Sequence, residues 1–177
     1  YEFTMDSWGT FQELTGRVVW TDLFAGARFV YLDSGVRFDV KRWPPDLPKP
    51  HMDSTTSGLG AVIRYDTRDN IFTPNRGLDL LGVATFYEDW LGSDDTFQDY
   101  LLVARVYEDV HPRVVLAGQA RAESISGKPP FYSKPFIHLR GIPALRYQDD
   151  AAASLEAEVR WNVYKRWWAV GFAGAGW

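Results

Sequence analysis

Cysteine is absent from the 177 residues, so disulfides, thiolate nucleophiles and thiolate metal sites are all excluded. No apolar run reaches the ~18 residues that a transmembrane helix needs, and no signal peptide is visible. A basic run is also lacking. The formal net charge is −4 with both signs interspersed, so no nucleic acid is expected as a partner. The three histidines, His51, His111 and His138, do not stand at metal-ligand spacing, and neither metal nor cofactor is expected. There is no G-x-S-x-G elbow. Gly58-Leu59-Gly60 sits inside a strand-like segment instead of opening a helix, so it is not a phosphate loop. Glu156 and Glu158 share one strand face about 7 Å apart, a spacing that invites comparison with glycosidase carboxylates. Arg121, Glu123 and Arg160 share the same kind of face, however, so paired polar wall residues are the simpler reading. No catalytic constellation stands out, and the chain is not expected to be an enzyme.

What the chain does contain is aromatic residues, at 16% with eight tryptophans, falling near the ends of alternating segments. The length suits one domain over residues 1–177 with ample core. Period-2 alternation broken by turn signals argues for strands. Over Ser154–Tyr164, Leu155, Ala157, Val159, Trp161 and Val163 oppose Glu156, Glu158, Arg160 and Asn162. Segments 113–123, 96–109 and 58–66 repeat the pattern, segments 25–32 and 77–88 do so less cleanly, and 168–175 closes the series. Trp8–Trp20 is the weakest strand, and residues 1–22 are the least defined part of the chain.

Two-faced strands suit both soluble and membrane barrels, and they differ in which face is interior. Segments of 10–14 residues match a tilted membrane crossing and exceed the usual soluble strand of about 5–6. Connections also alternate in length. Short turns are expected near Thr21-Asp22, Asp69–Arg76, Val110–Pro112 and Lys165-Arg166. Longer loops are expected near Arg42–Thr56, Asp89–Asp95 and Ser126–Asp150. That alternation favours an antiparallel up-and-down transmembrane β-barrel over a soluble one. The last segment runs from the short-turn rim toward the long-loop rim, so the chain reads as an incomplete or fragmentary part of a larger barrel. Tyr1 at the start reads as a trimmed product.

Two stretches stand apart. The loop of roughly 125–152 carries Arg140-Gly141 among Ile137, Leu139, Ile142 and Leu145, an apolar setting that asks for burial and for a carboxylate to meet the guanidinium. Long loops of this kind are usually functional. The segment Arg64–Gly77 reads as a hairpin turn, with Asp and Asn side chains bonding amides, Pro74 fixing φ and Gly77 resuming the strand.

The order YDTRDNIFTPNRG, LGSDDTF, VYEDV, RVVLAGQARAE, GKPPFY and LRGIPALRYQDD, followed by an E-x-R strand, resembles the C-terminal barrel of the outer-membrane insertase and translocase family (BamA/TamA type, bacterial surface antigens). The resemblance covers residues 58–177. It implies an integral outer-membrane protein that touches lipid and handles client outer-membrane proteins or secreted polypeptides. It also implies a long extracellular loop folded into the lumen, with Arg140 and Gly141 as the loop motif and Glu158 or Glu156 as its acidic partner. Asp66, Arg68, Asp69, Pro74 and Gly77 then form a periplasmic turn. Two features depart from the family: Gly174 stands where an acidic residue is expected, and no POTRA domains are present. A passive pore, the membrane anchor of a secreted passenger and a soluble ligand-binding β-barrel remain the alternatives.

Overall fold

In a computed structural model, residues 2–39 and 51–177 are described. They form eight strands: β1 (Glu2–Arg17), β2 (Leu23–Asp39), β3 (His51–Asp66), β4 (Gly77–Tyr87), β5 (Phe97–His111), β6 (Val114–Gly127), β7 (Ala151–Tyr164) and β8 (Trp167–Gly176). All belong to one sheet in sequence order, each antiparallel to the next. The all-β, up-and-down expectation therefore holds. The sheet is open, with β1 and β8 as its edges. Apart from strands the described residues form two three-residue 3-10 turns, Asp89–Leu91 and Phe131–Ser133.

Several boundaries differ from the sequence reading, each for a local reason. β1 ends at Arg17 instead of running to Trp20. The Thr21 N–H and hydroxyl both bond the Val18 carbonyl, Arg17 Nε donates to the Thr21 carbonyl at 2.6 Å, and Trp20 takes φ 64°. The connection placed at 42–56 is shorter at its far end, because β3 begins at His51 and pairs with β2 from there. Residues 40–50 of that connection lie outside the described ones. Beyond the end of β4, the β4–β5 loop continues along β3. Asp94 N–H donates to the Thr55 carbonyl at 2.8 Å, and Thr55 N–H donates to the Asp94 carboxylate at 2.7 Å. The long loop occupies 128–150, since β6 runs on to Gly127 and β7 starts at Ala151.

Because residues paired across antiparallel strands share a face, the register assigns every strand side chain to one side. One face carries Glu13, Arg28, Arg64, Asp66, Asp79, Asp99, Arg105, Gln119, Arg121, Glu123, Glu156, Glu158 and Arg160. The other carries Ile63, Leu80, Leu102, Val106, Leu116, Leu155 and Val159. Burial follows the first of these. Val62, Val83, Val103, Val115, Ile125 and Ala152 are buried there, beside Asp79, Thr85 and Ser154. The apolar face is left open, with Leu102 64% and Leu155 50% exposed. This inverts the ordering of a water-soluble β-protein, where the apolar side makes the core. β8 departs from the pattern: Trp168, Val170 and Phe172 register with Asn162, Arg160 and Glu158 on the charged side.

Candidate functional site

The loop between β6 and β7 lies on the charged face, and its tip is a tight turn. Ile142 N–H donates to the Leu139 carbonyl at 3.2 Å, leaving Arg140 and Gly141 as the two central residues. Gly141 has φ 84°, the left-handed value that the third position of a type II turn demands. A Cβ added there would meet nothing within 4 Å, so glycine is required for the backbone angle alone. Arg140, one position earlier, projects from the tip.

Its guanidinium meets two carboxylates of β7. Nε donates to Glu156 Oε1 at 2.8 Å, Nη2 makes a still closer contact with the same oxygen, and Nη1 pairs with Glu158 Oε2 at 2.6 Å. The guanidinium also stacks on the Phe172 ring of β8, 4.0 Å from its centroid. Glu156, then Glu158, raises the Arg140 pKa above its ordinary value, so the loop arginine is charged at every accessible pH. Both acidic residues singled out from the sequence are thus within reach of Arg140. The missing third acid has a steric counterpart. Gly174 registers with Glu156, and a Cβ on it would sit 2.7 Å from Leu139 Cδ2. Gly176 opposes Ile137 in the same way. The two glycines of β8 leave room for the loop's apolar side chains where a carboxylate would collide with them.

The sequence expectation of a uniformly buried loop needs correction. Ile137, Leu139 and Ile142 are half-buried, but Leu145 is exposed and adopts φ 62°. Arg140 itself is 41% exposed, because the open sheet leaves its outer side uncovered. His138 packs against Phe136 in a tilted arrangement, with ring centroids 3.9 Å apart. Burial, then the Arg121 charge, lowers its pKa below the ordinary value.

From the opposite rim, the β3–β4 turn over 67–76 folds onto the same face. Arg68 forms a two-pronged pair with Asp66, at 2.9 and 2.7 Å. Asp69 Oδ1 accepts the N–H groups of Asn75 (3.0 Å) and Arg76 (3.3 Å), which hold its carboxyl below the usual range. Gly77 takes φ 109°, and a Cβ there would lie 2.5 Å from the Thr67 carbonyl oxygen. Pro74 is buried, and its carbonyl accepts Arg160 Nη1 of β7 at 3.0 Å. The five turn residues named from the sequence therefore form one folded unit.

Asp79, the centre of this rim, is the residue that sequence reasoning passed over. It is fully buried and accepts from Arg64 at 2.7 and 3.1 Å and from Arg105 at 2.9 Å, with Arg68 3.8 Å away. The available signal was the hairpin register. Asp66 and Asp79 face each other across β3 and β4, and two opposed acids call for cations nearby. Tyr132 closes the GKPPFY motif, but nothing in the sequence points to the residues its hydroxyl meets. Among the described residues no group of three or more acidic or histidine side chains is placed to hold a metal.

Fold and site together define a class: an open up-and-down sheet whose charged face is covered by a loop from one rim and a turn from the other. No family model matches the chain, and no curated protein matches it in sequence.

Proposed function

We propose that this chain is wall of an integral outer-membrane β-barrel related to the insertases and translocases of that membrane, with the 128–150 loop folded into the lumen. The observation that carries the reading is the sidedness of the sheet. The exposed apolar face has aliphatic residues in its middle and aromatics toward both rims. Trp8, Tyr31, Phe86, Tyr100 and Trp177 lie on the long-loop side, and Tyr65, Trp161 and Trp167 on the short-turn side. Tyr100 registers with Ser124 and Trp161 with Val114, so the stretch of β6 from 114 to 124 separates the two girdles. At ~3.3 Å per residue and a typical tilt of about 40–45° this makes a band about 25 Å tall, the height expected of a barrel's lipid-facing zone.

The charged face then lines the interior. A soluble ligand-binding barrel calls for the opposite arrangement. Loop and turn converging on the interior speak against a wide passive pore and for a braced lumen of the kind the insertase resemblance implies. The expected partners are membrane lipid and client polypeptides with free strand edges.

Fractionation tests the membrane part: extraction only by detergent, with resistance to carbonate washing, is expected, and release as a soluble monomer ends the proposal. The insertase part is tested by depletion. Loss of the protein should impair assembly of other outer-membrane proteins, whereas steady single-channel conductance without an assembly defect favours a pore.

A further inference from the structure

The loop's contact with β7 and β8 is only half of its attachment. At its other end Tyr132 Oη lies 2.8 Å from Ser34 Oγ of β2 and 3.2 Å from Thr56 Oγ1 of β3. Both partners are buried, and Ser34 also donates to the Ser54 carbonyl at 3.0 Å, so the phenol joins a formed polar cluster. Between β3 and β7 lie four inter-strand steps of the sheet, roughly 19 Å at about 4.8 Å per step. The segment from Tyr132 to Arg140 links those strands over the charged face, along a chord of that arc.

The segment is braced between its anchors. Pro135 is fully buried, and Ile137 N–H donates to the Tyr147 carbonyl and Asp149 N–H to the Pro135 carbonyl, each at 3.2 Å. Phe136 and Gln148 form an isolated bridge, and Lys134 pairs with Asp150 at 2.8 Å. A stiff segment fixed at both ends behaves as a chord. When the arc of strands has a set width, the chord length sets its curvature.

We propose that loop 128–150 is a tie that fixes the separation of β2–β3 from β7–β8, with Tyr132 as the positioning residue of its second anchor. Arg140 and the glycine seats of β8 hold one end, and Ser34 and Thr56 hold the other. Releasing either end lets the sheet flatten and moves its two edges apart. The tie goes beyond the membrane reading, because it is a property of the sheet in any solvent.

The cysteine-free sequence makes the test direct. Leu59→Cys on β3 and Leu155→Cys on β7, both on the exposed apolar face, carry spin labels in the full protein, in detergent or buffer as it is obtained. One narrow distance distribution is expected in the parent. Tyr132→Phe keeps the ring and deletes only the hydroxyl. It should broaden the distribution and add a longer-distance population, and so should Ser34→Ala combined with Thr56→Val from the other side of the contact. Combining these changes with Tyr132→Phe should add nothing, since all remove one anchor. A distribution left unchanged by both Tyr132→Phe and the Ser34→Ala, Thr56→Val pair overturns the tie, whatever fractionation shows about the membrane.

Discussion

Glu158 is shared by two arginines with different tasks: Oε2 holds Arg140 of the loop at 2.6 Å, and Oε1 holds Arg160 Nε at 2.5 Å. Arg160 in turn reaches the Pro74 carbonyl of the opposite turn. One carboxylate therefore sits between the loop from one rim and the turn from the other. Among the described residues, the Glu156 carboxylate bonds the loop arginine alone. Glu158→Gln should accordingly raise hydrogen exchange in both 67–76 and 137–147, while Glu156→Gln should raise it in 137–147 only. Identical exchange maps for the two variants would show that Arg160 holds the turn without help from Glu158. Arg140→Ala should cost roughly 1–3 kcal/mol. The low end is favoured, because the guanidinium is 41% exposed and solvent screens such a pair.

Gly141→Ala isolates the backbone requirement from the charge. The position has open space but φ 84°, and an L-residue pays about 1–2 kcal/mol in the left-handed region. The variant should lose that much docking stability with Glu156 and Glu158 intact, read as faster proteolysis of the loop. Gly141→Asn, which tolerates this region better, should recover part of it. An Asn variant no better than Ala would mean that something other than φ selects glycine.

The strands were legible because alternation is a local property. Leu155, Val159 and Trp161 against Glu156, Glu158 and Arg160 declare a two-faced strand without knowledge of any partner. The orientation of the faces was not legible, since the same alternation suits either interior. It became visible only when register joined Asp79, Arg105, Gln119 and Glu156 into one row and burial fell on that row's side. Arg140 with its carboxylates was readable through a known pattern of motifs. The contact of Tyr132 was not, although the residue stands in the GKPPFY motif, because its partners are Ser34 and Thr56, far away in sequence, and a serine or threonine advertises nothing. Leu145 is exposed beyond the Leu139–Ile142 turn, so apolarity alone does not entail burial in this loop.

Asp79→Asn tests the short-turn rim. The fully buried carboxylate receives Arg64 and Arg105 and lies near Arg68, so neutralising it leaves clustered guanidinium groups in partial burial. Removing one partner of a buried pair costs about 3–5 kcal/mol, with the lower figure expected because Arg64 and Arg105 are each about one-third exposed. Chemical denaturation of the folded protein measures this. A change under about 0.5 kcal/mol would place Asp79 among dispensable charges.

Thr85→Val should act in the opposite direction. Thr85 is fully buried on the charged face, and among the described residues its Oγ1 has no hydrogen-bond partner. An unpaired buried hydroxyl costs about 1–3 kcal/mol, and valine keeps the branched shape while removing it. Stability should stay level or rise by about 1 kcal/mol. A marked loss would reveal that the hydroxyl is paired in solution.

His138 gives the loop a pH dependence whose sign follows from its environment. Burial and the facing Arg121 depress its pKa when the loop is docked, against a smaller opposing pull from Glu123. The undocked imidazole returns to its ordinary value of about 6.5. Above that value both states are neutral and docking has its full stability. As pH falls, the undocked state takes up a proton first, so docking weakens progressively until pH has passed below the depressed value, after which the loss is complete. Arg140 does not contribute to this change, since it stays charged throughout. Proteolysis of the 137–147 segment should therefore accelerate as pH falls through and below about 6.5, and His138→Gln should flatten the profile there. An equally steep profile in His138→Gln would assign the dependence to another group and leave His138 as a packing residue against Phe136.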